Sequence, residues 1–492
     1  LGTFEKILTD MNMRFFLIVV SALLFAACEN STTPQNDQHQ GQVTEERTTP
    51  QPQANDSRPL LHLQSGFSTS RMNGNTVASL FDNNPNTIWS TEPGSGPGEY
   101  IHLQFFSNRV NYLDAILVEP ATGAGLGKLE NCLLSVNDQP AVEIVPGQRF
   151  EIKENVRSLE LTLWSTTALE STSRSSGRDK ITLGRMSANL SLGLAELRLF
   201  GEQGQELHPE LPEWILGNVA PTSTLSPLSA YNAGHLFDGR NDRAWVEGAP
   251  GPGKGETLVF ELGEPRQISK ILIRNGYQRS PEHFKANARL KSFTISVPAK
   301  PAQSFTLRDT EGDQFLEFSP PVSSAFFNLK IDEVYRGAKF DDMAISEIVF
   351  FDKDTAWTVR TGFDLTEKSN IRNAAIDSPL APLLNRYVEN FTEREDQSSR
   401  QSIVLRDDAT FSIWTEENTP YDDSRSWRVE GNWQVLEQSP TEVSVKLSGV
   451  LMVAADPAQG GKPAEKTAFS ENLKIRKGII EGSGAVSKIY TE

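Results

Sequence analysis

Leu236-Phe237-Asp238-Gly239-Arg240-Asn241-Asp242-Arg243-Ala244-Trp245 repeats Leu80-Phe81-Asp82-Asn83-Asn84-Pro85-Asn86-Thr87-Ile88-Trp89 at a constant offset of 156 (245 − 89). One inserted residue later, Gly94-Ser95-Gly96-Pro97-Gly98-Glu99 is answered by Gly251-Pro252-Gly253-Lys254-Gly255-Glu256 at offset 157 (256 − 99). Both stretches run into strand-like segments, residues 100–106 and 257–262. The copies also close alike, Ala195-Glu196-Leu197-Arg198-Leu199-Phe200 against Ser346-Glu347-Ile348-Val349-Phe350-Phe351. Four anchors in one order mark an internal duplication. In each copy Phe-Asp sets an apolar anchor beside a carboxylate able to bond the following Asn/Gly/Asp-rich turn. The Trp supplies a large surface that pins the loop to a core. The glycines then turn the chain into a strand with period-2 alternation, and residues 268–273, 292–297, 325–331 and 344–351 read as further strands. Short strands punctuated by turns predict a mainly β chain with two tandem antiparallel β-sandwiches, over residues 61–205 and 210–352.

Outward from the repeat, residues 356–492 carry a different pattern. Leu380, Leu383, Leu384, Tyr387, Val388 and Phe391 have helical spacing and predict a helix over 378–394. Segments 401–405, 410–415, 427–435, 442–453, 471–476 and 479–490 predict a β-meander or small barrel. Trp433 after Gly431, with the alternating hairpins, resembles small lipocalin-like barrels and transfers no ligand residue. At the other end, Arg14 precedes an apolar run over 15–27 that is too short to span a bilayer at about 20 residues, and it fits a secretory signal over 1–28. Leu24-Phe25-Ala26-Ala27-Cys28 resembles a bacterial lipobox, with Phe25 where Leu is commonest. The resemblance implies lipidation at Cys28 and a place in the bacterial cell envelope, anchored to a membrane. Residues 29–60, rich in Asn, Gln, Thr, Ser and Pro, are expected to be a disordered tether. The net charge of −17 argues against nucleic acid as a partner, since phosphates need a basic face. Cys132, in an apolar run, reads as core packing, and the six histidines lack zinc spacing.

The second copy resembles the discoidin-like (F5/8 type C, galactose-binding-like) sandwich, and more narrowly the module named after the translocation domain of a streptococcal NAD glycohydrolase. The resemblance rests on Asn218-Val219-Ala220-Pro221-Thr222-Ser223-Thr224-Leu225, Tyr231, Phe237-Asp238-Gly239 and Trp245-Val246-Glu247-Gly248. It continues through Ile273-Arg274-Asn275-Gly276-Tyr277, Asn287-Ala288-Arg289-Leu290-Lys291, Val334-Tyr335-Arg336-Gly337 and residues 339–347. The first copy has Ile116-Leu117-Val118-Glu119-Pro120 where Asn-Gly-Tyr would fall and reads as a divergent discoidin-like domain. The resemblance implies a binding module whose partner is a glycan or a surface protein. It also implies a structural calcium near the Phe-Asp loop, held by Asp82, Thr87 and Glu196 in the first copy and by Asp238 and Glu347 in the second. Arg243 stands at the position aligned with Thr87. An Asp that simply caps its own turn is the alternative.

The candidate sites divide sharply. Gly248 to Lys254 satisfies G-x-x-x-x-G-K, but Gly255 stands where a phosphate loop needs Ser or Thr and a strand follows instead of a helix. No nucleophile elbow, H-E-x-x-H motif or Cys/His pair is present, so no catalytic residue is assigned. A hydrolase using paired carboxylates between domains stays open, because such acids leave no local motif. For ligand binding, Arg274, Asn275, Tyr277, Asn287 and Arg289, with Arg279, combine an aromatic ring with amide and guanidinium groups suited to sugar hydroxyls. The alternative is that Asn275-Gly276 makes a tight turn while Asn287 and Arg289 stitch loops.

Overall fold

The computed structural model describes residues 57–70, 76–84, 86–164, 169–176, 179–361, 363–394, 397–418, 425–453, 465–482, 484, 486 and 488–491. The signal-like segment 1–28, Cys28, and tether residues 29–56 lie outside the described residues. The rest is mainly β, 58% strand against 7% helix, and so of the fold class the alternation predicted. Among the described residues no helix is long and apolar enough to cross a membrane.

The first sandwich packs Val142–Ile144, Asn131–Val136, Ser158–Trp164, Tyr100–Phe105 and Leu60–Ser68 over Glu206–Glu210, Gly193–Phe200, Tyr112–Pro120 and Arg149–Asn155. A parallel pairing of Leu60–Ser68 with Glu206–Glu210 joins the two layers. Inward residues such as Leu63, Ile101, Leu103, Cys132, Leu161 and Leu197 fill the space between them. The second sandwich uses Trp245–Val246, Met343–Asp352, Thr355–Arg360, Glu213–Pro221, Thr257–Asn275, Asp313–Tyr335, Ala288–Ser296 and Gln303–Thr306. The segments expected as separate strands at 257–262 and 268–273 are one bent strand, Thr257–Asn275. Its register shifts between Glu261 and Arg266, around Gly263 and Pro265, so the chain bends there without leaving the ladder. Its first half pairs with Glu213–Pro221 and its second half with Met343–Asp352.

The repeated landmarks fold alike. Val77–Leu80 and Ala233–Leu236 are single 3-10 turns ending on Phe81 and Phe237. Trp89 and Trp245 are fully buried, each in a two-residue strand paired with the closing strand, opposite Leu194 and Ile345.

The C-terminal meander runs Val388–Arg394, Gln397–Leu405, Thr410–Asn418, Arg425–Gln438, Glu442–Val453, Glu465–Arg476, Ile479–Gly482 and Ile489–Tyr490. It curls into a nearly closed barrel, with the Asn390 side chain bonding Lys488 O at 2.8 Å and Tyr490 N at 3.3 Å across the closing seam. The hairpin Leu169–Ser176 and Asp179–Met186 lies in the chain between strands of the first sandwich, yet extends the barrel sheet by pairing with Val388–Arg394. The helix expected over 378–394 is not there. A helix occupies Phe363–Ala375, Ala381–Leu383 is one 3-10 turn, and Val388–Arg394 is a strand. Pro379 and Pro382 explain the difference, since each removes a helical N–H and restricts the residue before it. The buried Leu380, Leu383 and Val388 reach the barrel core from a turn and a strand instead.

Candidate functional site

The residues singled out for sugar binding gather at one end of the second sandwich: Arg274 and Asn275 end the strand Thr257–Asn275, Arg289 lies in Ala288–Ser296, and Tyr277, Arg279 and Asn287 lie in the connection between them. Arg274 is buried and spans three acceptors: Asp313 Oδ1 at 2.9 Å, Asn241 Oδ1 at 2.5 Å and Gln64 Oε1 at 2.9 Å. Gln64 belongs to the first sandwich, so Arg274 ties the two copies together. Asn275 is fully buried; its amide donates to Leu290 O at 2.7 Å and accepts from Leu290 N at 2.8 Å. Tyr277 is packed with Ala244, Val246 and Ala344, donates to Asp242 O at 3.2 Å, and burial pushes its phenol well above the usual range. Arg279 donates to Asp242 O at 2.8 Å and to Asn432 of the barrel. Asn287 caps the helix Pro281–Ala286 through His283 O at 2.8 Å. Arg289 grips Asp309 with two bonds, 2.6 and 2.9 Å, and donates to Asn287 O at 2.7 Å.

These residues therefore do not line one exposed concavity. The loop-stitching alternative describes Asn287, half-buried on His283 O, and Arg289; Arg274, Asn275 and Tyr277 are buried on partners within the fold as well, and buried polar groups already hydrogen-bonded have little left for a ligand.

The two Phe-Asp loops differ in chemistry. In the first copy Thr87 Oγ1 donates to Asp82 Oδ1 and Oδ2 at 2.9 and 2.8 Å, and Asn84 N donates to Asp82 Oδ1 at 3.0 Å. Beside them Glu196 has a buried Oε1 with no hydrogen-bond partner. Burial, then the neighbouring Asp82 charge, push the Glu196 carboxyl up to about 7. Hard oxygens with an unsatisfied carboxylate fit a calcium, although no group of three or more His, Cys, Asp or Glu converges among the described residues. In the second copy a cation is already in place. Arg243 Nη1 lies 3.8 Å from Asp238 Oδ2 and Nη2 lies 2.7 Å from Asp408 Oδ2 of the barrel. Gly239 N donates to Glu347 Oε2 at 2.9 Å and Arg240 N to Asp238 Oδ1 at 2.9 Å. Asp238 and Glu347 are both raised, first by burial and then, for Glu347, by the Asp238 charge. Asp238 and Glu347 therefore do not fit a calcium: Arg243 occupies the Thr87 position with a guanidinium.

The barrel closes over both sandwiches through groups that sequence reasoning missed. Arg406 meets Glu99 at 3.0–3.2 Å, Arg428 meets Glu160 at 2.6 Å, and Tyr100 donates to Glu430 at 3.0 Å. Tyr387 and Val404 complete the first sandwich's core. A cavity of ≈ 10 Å³ at this joint is lined by Thr69, Ser70, Glu92, Glu99, Lys368 and Arg406, among others. It has room for about one water. Its carboxylates Glu92, Glu99, Asp407 and Asp408 all stand in ion pairs. The partners lie hundreds of residues apart, so no local motif announces them.

The loop ends of the two copies are used in opposite ways. The Gly-rich loop of the first copy, Gly94 to Glu99, is buried, and Gly98 sits against the Trp414 indole of the barrel. In the second copy Gly248, Gly251, Lys254 and Gly255 are exposed, and Leu228 and Phe340 at the same end are 61% and 43% exposed.

Residues 215–351 match the family described as the NAD glycohydrolase translocation F5/8 type C domain, so the second sandwich is a discoidin-like domain. No curated protein matches the chain. Among solved structures, the family 32 carbohydrate-binding module of C. perfringens NanJ in complex with galactose is 17% identical, with 27% of this chain and 90% of that one covered at a TM-score of 0.22. The mycobacterial arabinofuranosyltransferase AftD is 11% identical over 86% of this chain and 41% of its own, at 0.24. The CBM32-1 and CBM32-2 domains of Clostridium perfringens ZmpB are 11% identical over 58% and 92%, at 0.22.

Proposed function

We propose that this protein binds carbohydrate at the bacterial cell envelope, held to a membrane through Cys28, and acts as a binder without a catalytic step. The match of residues 215–351 to an F5/8 type C domain family carries this reading. The ligand face is the exposed part of the second sandwich's loop end, residues 222–228, 248–255 and 336–342. There Leu228 and Phe340 supply apolar surface for sugar C–H faces, and exposed Lys254, Arg336 and Asp341 supply groups for hydroxyls. In the first copy, Asp82, Thr87 and Glu196 are proposed to hold one calcium that rigidifies the exposed loop.

The full chain on a glycan array tests this reading. Retention of a defined glycan set is expected, and Phe340→Ala should weaken it about tenfold, the worth of one stacked ring at about 1.4 kcal/mol. Capture of an envelope protein with no glycan retained would instead favour a protein-binding scaffold. One observation supports that second reading: the other half of this loop end already makes protein contacts, through Arg243 and Arg279 to the barrel and Arg274 to the first sandwich.

A further inference from the structure

We infer that the Phe-Asp loop of the second sandwich is a metal-free joint, in which the Arg243 guanidinium takes the place of Thr87 beside Asp238 and clamps the barrel through Asp408. Thr87 and Arg243 are related by the repeat offset of 156 (243 − 87), as are Asp82 and Asp238 (238 − 82). The closing glutamates Glu196 and Glu347 complete the correspondence. In the first copy the hydroxyl of Thr87 bonds the half-buried Asp82 carboxylate, and the buried Glu196 keeps Oε1 unsatisfied beside it. In the second copy Asp238 Oδ2 is likewise buried without a hydrogen-bond partner, but the Arg243 guanidinium stands 3.8 Å from it and extends past it to Asp408 at 2.7 Å, filling the space beside the carboxyl with a cation. Asp408 is prepared to receive it, since Thr410 N and Thr410 Oγ1 bond its other oxygen at 3.0 and 2.5 Å. Against the cost of burial, Arg243 and then Arg240 hold the Asp408 carboxyl well below the usual range.

The loop is wedged on its other side as well. Gly239 has φ +73, and a Cβ there would lie 2.6 Å from Ser65 Cβ of the first sandwich. Ser65 Oγ donates to Gly239 O at 3.2 Å, and Arg240, paired with Asp242 at 2.8 Å, lies over the Phe67 ring at 4.8 Å. A hydrated divalent ion needs six or more oxygens and open space. This loop offers a fixed guanidinium and three protein walls. The duplication has thus separated two tasks: the first loop stays exposed, and the second joins the three parts of the fold.

Calorimetric titration of the full, chelator-treated chain with Ca²⁺ tests the inference. Asp238→Asn should leave the number of bound ions unchanged from wild type. Arg243→Thr, which restores the first copy's residue, should add one bound ion and speed proteolytic release of the barrel about fivefold, as local opening becomes easier. Asp408→Asn provides a second test that does not depend on Arg243→Thr folding. It should speed barrel release with no added ion. A wild-type equivalent lost in Asp238→Asn overturns the inference, as does barrel release unchanged in Asp408→Asn. Absence of any wild-type calcium counts only against the calcium proposed at Asp82, and Arg243→Thr still decides the second loop.

Discussion

Asn275 shows how a side chain suited to recognising a sugar is taken up by the backbone. Its amide meets both the N–H and the C=O of Leu290 in a fully buried position. Asn275→Ala should therefore cost about 2–4 kcal/mol in urea unfolding, the penalty for orphaning two buried groups; an unchanged midpoint would return Asn275 to the ligand. His235 makes a pH prediction. Burial, then the Arg243 charge, push its imidazole down to about 3, where Ala244 O and the Asn232 amide hold the neutral ring. The unfolded state, titrating near 6.5, binds the extra proton between about pH 6.5 and 3. Stability from this group is thus complete above that range and falls with pH, by up to about 1.4 kcal/mol per unit. His235→Asn should flatten the acid limb by that slope in urea titrations at several pH values. The Cys132 thiol, pushed up to about 12 by burial, belongs to the first sandwich's core as its apolar neighbours predicted.

Among the elements, two neighbouring barrel strands meet at a pair of glycines with no room for a side chain. Gly431 and Gly449 are paired across neighbouring strands, and a Cβ would lie 2.1 Å from Ser448 O at the first and 1.9 Å from Glu430 O at the second. So close an approach of two backbones needs residues without side chains. Gly449→Ala should destabilise the barrel by about 3 kcal/mol or more, seen as an earlier transition of Trp433 fluorescence. Most meander strands were legible from their alternation, Glu442–Val453 among them. The helix was misplaced because the leucines at 380, 383 and 384 have helical spacing whether or not the prolines allow a helix. The true helix, Phe363–Ala375, shows little apolar periodicity: Ala375 is buried and Ile371 packs partly against the core.

For the molecule as a whole, the decisive contacts are the joints. Glu99 and Arg406 are almost completely buried and satisfy each other, with Thr69 and Ser412 completing the set. Glu99→Gln would leave a guanidinium buried without its counter-charge. A loss of about 3–5 kcal/mol is expected, changed little by added salt because the pair is shielded from solvent. Chemical denaturation at low and high ionic strength checks both points, and a strong salt dependence would place the pair at the surface.

The duplication, the mainly β class and the burial of Phe81, Trp89, Phe237 and Trp245 are written in local sequence. These follow from spacing within a few residues and from the need to bury large apolar rings. Long-range packing alone sets that Arg274 meets Gln64, that Arg243 meets Asp408, and that a hairpin from the first sandwich's stretch of chain joins the barrel sheet. Those choices pair residues far apart in the chain, and a guanidinium looks the same in sequence whether it awaits a ligand or is already satisfied by a carboxylate folded against it.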